Sequence, residues 1–164
     1  MRLTRRGLLA TVWATGVAAF ATPSGFVASG NEPDATEIAS LIKSGRMSAA
    51  EAVEAAIRRA QEVQPKINFM VADTFASARA RAANPGAGPF AGVPYLIKDL
   101  NDLTGAVTRH GSRVTEGVAP ATEQDVYVNA TLDTGLICIG KSASPESGYL
   151  PTTEPLAFGP TRNP

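Results

Sequence analysis

Two short apolar runs, each ending near a lysine, constrain this chain more than anything else in it. Tyr95-Leu96-Ile97 leads into Lys98, and Leu136-Ile137-Cys138-Ile139 leads through Gly140 into Lys141. Runs of three or four apolar residues bounded by glycine, proline and charge are too short for helices and suit buried strands. Helical patterns lie between and before them. Strands that alternate with helices predict an α/β fold whose sheet is mixed but mostly parallel, covered by helices, with a helical hairpin at its N-terminal side.

That hairpin is legible in its punctuation. Asp34 or Thr36 caps a helix to about Lys43, with Ile38, Leu41 and Ile42 on one face, and Ser44-Gly45 ends it. Ser48-Ala49-Ala50-Glu51 is a capping box that opens a stronger helix to about Val63. Ala52, Val53, Ala56, Ile57 and Ala60 form its apolar stripe, and Pro65 is expected to close it. A strand over Ile67 to Val71 and an Ala- and Arg-rich helix from about Thr74 to Ala83 follow. The run Asn84 to Pro89 is a loop into the strand carrying Lys98. Residues 101–122 are expected to form an irregular surface excursion, followed by a helix over 123–133 that stops at Gly135. Prolines at 145, 151, 155, 160 and 164 exclude a long helix thereafter.

The first thirty residues read as a separate object. Arg2, Arg5 and Arg6 precede a mostly apolar stretch from Gly7 to Ala21, and Ala19-Phe20-Ala21 suits a signal-peptidase cut. Arg5-Arg6 before Gly7-Leu8-Leu9 resembles a twin-arginine signal, which implies an exported, periplasmic protein with no stable membrane span once the signal is removed. A membrane anchor is the alternative, but Thr11, Thr15 and Gly16 interrupt a stretch already short for spanning. Residues 1–30 are thus signal and leader, and 31–164 the folded part. Equal numbers of basic and acidic residues, 15 of each, leave no field for nucleic acid. One cysteine, Cys138, and one histidine, His110, argue against disulfides, a metal site and histidine-based serine catalysis within this chain.

Lys98 is the candidate catalytic residue. An ammonium at the end of a buried strand either reaches solvent or has its pKa pulled down towards neutrality, and in the second state it can serve as a general base. Gly135 to Ser142 matches the Walker A pattern, but a helix precedes its first glycine and its middle residues want to be a strand. Gly135 is better read as a helix stop and Lys141 as the polar end of a strand. Cys138 is expected to be a small buried hydrophobe, and His110 a solvated loop residue. Asp99 and Asp102 lack the partners a metal would need.

Three stretches together resemble the amidase signature family: Gly88 to Asp99; Gly135 to Ser142 with Pro145-Glu146; and Leu150 to Pro155 with Phe158 to Pro164. The last is similar to amidases of the 6-aminohexanoate-cyclic-dimer hydrolase type. The resemblance implies a partial amidase-signature fold, no cofactor, a small-molecule amide substrate, and hydrolysis by a Ser–cis-Ser–Lys triad in which Lys98 matches the lysine. The family's Gly- and Ser-rich segment, with both serines and the oxyanion hole, is expected beyond Pro164. None of Ser112, Ser142, Ser144 or Ser147 has a Gly-Gly-Ser-Ser context. The chain by itself is therefore expected to be inactive, as the N-terminal part of an amidase. The contrary reading is a non-catalytic exported remnant, or a binding module on the same scaffold.

Overall fold

The computed structural model of the chain describes residues 33–163, so the expected export signal lies outside the described residues. Helix α1 (Ala35–Lys43) is capped by Asp34, whose carboxylate accepts from the amides of Thr36 and Glu37, both at 2.8 Å. Helix α2 (Ala49–Ile67) starts at the expected box: Ser48 Oγ accepts from the Glu51 amide at 3.1 Å, and Glu51 Oε2 from the Ser48 amide at 2.7 Å. Its stripe buries Ala49, Ala52, Val53, Ile57 and Ala60.

Pro65 does not close α2. The helix runs through it to Ile67 and ends at Asn68, which is left-handed at φ 54°. A proline in the last turn removes one intrahelical donor, and tertiary bonds secure the turn instead. Gln64 accepts from the Phe69 and Met70 amides at 3.1 and 2.8 Å and donates to the Met70 carbonyl at 2.7 Å. Asn68 Nδ2 donates to the Phe158 carbonyl at 2.8 Å. The following strand, β1 (Met70–Asp73), consequently starts later than expected.

Helix α3 (Phe75–Ala82), strand β2 (Pro94–Lys98), helix α4 (Val126–Asp133) and strand β3 (Ile137–Ser142) complete the regular structure of the described residues, apart from a 3₁₀ turn at Glu146–Gly148. Gly135, at φ 92°, stops α4, and β3 occupies the rest of the Walker-like run, so no phosphate-cradling loop exists there. Among the described residues no helix is long and apolar enough to cross a membrane.

The described sheet has the order β1-β3-β2. Strand β2 runs parallel to β3 and β1 antiparallel, so the sheet is mixed with neither direction dominant. Gly140 makes room for β1: a Cβ there would lie 2.5 Å from Met70 Sδ and 2.7 Å from the Ala72 carbonyl oxygen. Two apolar clusters cover the two faces. Val53, Ile57 and Ala60 of α2 and Ala78 and Ala82 of α3 pack on Ile137 and Ile139. Ile97, Leu103, Ala106 and Val128 form the other, with Tyr95, Leu132 and Cys138 against it. Ile137 and Ile139 thus face one way and Cys138, half-buried, the other, as strand alternation requires.

Candidate active site

The register between β2 and β3 decides what happens at their C-terminal ends. Tyr95 pairs with Cys138 but Leu96 pairs with Gly140, so the ladder slips by one residue at Ile139. Strict alternation from Ile137 would send Lys141 towards α2 and α3. After the slip Lys141 is the partner of Ile97, whose side chain belongs to the opposite cluster. Lys141 therefore enters the interior beneath the 99–122 segment, where it is fully buried.

Its surroundings replace water. Lys141 Nζ donates to the Asn101 carbonyl at 2.8 Å and to Thr108 Oγ1, and stands 3.5 Å from Asp99 Oδ1. Asp99 is also fully buried, and its carboxylate accepts from the amides of Arg109 (3.0 Å) and Gly111 (3.3 Å). Desolvation pulls the Lys141 pKa below the ordinary lysine value, and the Asp99 carboxylate opposes that shift. Lys141 is thus no polar strand end. In the folded chain the buried amine at the close of an apolar run is that of Lys141.

Lys98 is the other case. It is the last residue of β2, paired in register with Ser142, and its side chain is exposed. Among the described residues nothing hydrogen-bonds or pairs with its amine. In this chain the amine reaches solvent. The chain after Lys98 turns at once: its carbonyl accepts from the amides of Leu100 and Asn101, at 2.7 and 3.1 Å.

The segment after Asp99 is irregular throughout; residues 113–122 are the mostly exposed excursion expected, but residues 101–112 fold into the interior. Leu103, Ala106, Thr108 and Ser112 are buried. The Asp99 carboxylate gathers its far end, and Gly111, at φ 64°, lets it lie against β3's continuation, where a Cβ would sit 2.6 Å from the Ser144 carbonyl oxygen. Ser112 Oγ donates to Glu146 Oε1 at 2.5 Å, and the Arg109 guanidinium lies 5.2 Å from the centroid of the Phe158 ring. His110, expected to be solvated, is half-buried at φ 50°, and its carbonyl accepts from the Ser147 amide at 2.8 Å. Ser144, fully buried, donates from Oγ to the Asp99 carbonyl at 3.4 Å. The sequence assigns Asn101 and Thr108 no role and presents Lys141 as the polar end of a strand, because the register slip that buries its amine leaves no local signature.

Residues 51–164 match the family described as Amidase. This chain belongs to the amidase signature family. It is 40% identical over 133 residues to 6-aminohexanoate-cyclic-dimer hydrolase of Paenarthrobacter ureafaciens, which covers 80% of the chain and 27% of the relative. An acylamidase of Rhodococcus erythropolis is 35% identical over 139 residues, covering 79% of the chain and 29% of the relative. The solved structure of 6-aminohexanoate cyclic dimer hydrolase superposes with a TM-score of 0.75 at 37% identity, over 80% of this chain and 27% of that one. The chain therefore spans little more than a quarter of the amidases it matches. Within that share, the amidase-signature architecture is the mixed sheet and its helical cover described above.

Proposed function

We propose that the protein carrying this chain hydrolyses carboxylic amides by a Ser–cis-Ser–Lys mechanism, with Lys98 as the general base. The observation that carries the reading is the placing of Lys98. Its amine projects, unpaired among the described residues, from the C-terminal end of a strand parallel to the central one, where active-site groups of α/β folds gather. Its neighbours Ile97 and Asp99 are fully buried and hold the backbone on either side. Family membership supports the same reading.

The chemistry balances as an acyl transfer. In the whole protein the remainder of the fold covers the end of β2, takes the Lys98 amine out of water and so favours its uncharged form. That amine takes a proton from the bridging serine, which takes one from the nucleophilic serine as its Oγ bonds to the amide carbonyl carbon. Collapse of the tetrahedral adduct breaks the C–N bond, and the returning proton goes to the departing nitrogen. Water then cleaves the acyl ester by the same route. The proposal assigns both serines and the oxyanion-binding amides to the part of the protein outside this chain's share of its relatives. Small linear or cyclic amides of the aminohexanoate kind are the proposed substrates, by likeness to the cyclic-dimer hydrolases.

The test is Lys98→Ala in the whole protein. Amide turnover should fall by about a hundredfold or more, the usual worth of a positioned base, with the fold unchanged by circular dichroism. Turnover within about tenfold of wild type would refute the assignment. The Arg5-Arg6 leader supports a periplasmic location. Replacing both arginines with lysine should leave the protein in the cytoplasmic fraction, and undiminished export would refute the twin-arginine route.

A further inference from the structure

We propose that Asp99 and Lys141 are positioning residues for Lys98: their buried pair locks the end of β2 so that the Lys98 amine leaves the sheet at one fixed place. The inference rests on the reading of Lys98 as the base. Every polar group of Asp99 is engaged by a different part of the chain. Its amide donates to the Ser142 carbonyl at 3.0 Å, and its own carbonyl accepts from Ser144 Oγ. Its carboxylate takes the Arg109 and Gly111 amides and faces Lys141 Nζ at 3.5 Å. Lys141 in turn holds Asn101 and Thr108, at the start of the segment that Lys98 precedes and seven residues along it.

Lys98 has no comparable side-chain anchor among the described residues, so its direction is inherited from the peptide between it and Asp99. A displacement of about 1 Å at a reacting group can cost a hundredfold in rate. A base on an otherwise free side chain needs such a fixed root.

The test uses the whole protein with a linear amide substrate, measuring kcat and KM separately for Asp99→Asn/Lys141→Met, Thr108→Val and Lys98→Ala. The double replacement removes both charges together, so neither is left buried alone. With circular dichroism showing native secondary structure, its kcat should fall about tenfold or more while KM stays within about threefold. A folded double variant with wild-type kcat would overturn the proposal, and so would equal changes in kcat and KM. If the double variant fails to fold, Thr108→Val decides. It keeps both charges and removes one acceptor of Lys141, and should lower kcat at least threefold at constant KM, whereas unchanged kcat would overturn the proposal. Lys98→Ala separates the two readings: full activity there defeats the base assignment and the positioning role together, whereas an inactive Lys98→Ala beside unaffected pair variants defeats the positioning role alone.

Discussion

Replacing Lys141 with methionine should destabilise the fold sharply, and the structure sets the scale. At 3.5 Å and an effective dielectric of about 20, the attraction between Lys141 and Asp99 is about 5 kcal/mol before desolvation. Methionine fills most of the lysine's volume, so packing is largely kept. The loss is chiefly that of a compensating charge for a carboxylate that water cannot reach. Removing one partner of such a pair typically costs 3–5 kcal/mol. Asp99 keeps two backbone donors, which places the expected loss near the lower end, about 3 kcal/mol. For a unit of this size that is a fall of roughly 10 °C in the melting midpoint. Thermal and urea unfolding followed by circular dichroism would measure it. Adding Asp99→Asn should recover more than half of the loss, because no charge then remains buried alone. A Lys141→Met variant melting within about 2 °C of wild type would refute the reasoning. So would a double variant as unstable as the single one, since the damage would then come from packing.

Two further outcomes follow from local structure. Ser48→Ala removes the cap of α2 and should lower the melting midpoint at neutral pH. The bonds from the Ser48 amide and hydroxyl hold the Glu51 carboxyl below its usual 4.5. The support that Glu51 gives is therefore complete above that value and fades as pH falls through the lower folded value, so the difference between variant and wild type should shrink in acid. Differential melting across pH 3–7 would show this, and a gap that widens on acidification would contradict it. Gly140→Ala drives a Cβ onto the Ala72 carbonyl oxygen, which as backbone cannot swing aside as the Met70 side chain can. It should cost about 1–3 kcal/mol in urea unfolding, and a neutral result would show that β1 does not press on β3 as described.

How much of this was legible beforehand depended on the range of the forces involved. Caps act over three residues, so the starts of α1 and α2 and the stop at Gly135 could be read from Asp34, Ser48-Glu51 and Gly135 themselves. The core stripe of α2 followed from spacing alone. The end of α2 could not, because the bonds that carry it past Pro65 come from Gln64 reaching forward and from the Phe158 carbonyl, 90 residues away from Asn68. The same limit hid the burial of residues 101–112. The glycines and threonines of 101–122 look like loop chemistry, and the bonds that order the first half of that segment come largely from outside it, from the Asp99 carboxylate just past β2, the Lys141 amine of β3 and the Glu146 carboxylate.

The two lysines state the division most plainly. Sequence by itself determined that each closes a short apolar run in an amidase-type chain, and the resemblance to that family made Lys98 the expected base. Tertiary structure alone decided which of them is shut away from water. The cause is a one-residue slip between β2 and β3, which turns Lys141 inward beside Ile97 and leaves Lys98 at the open end of its strand. Side chains alternate with a period of two, so a single skipped residue reverses which face a side chain serves, and no local pattern in either run records that the skip occurs.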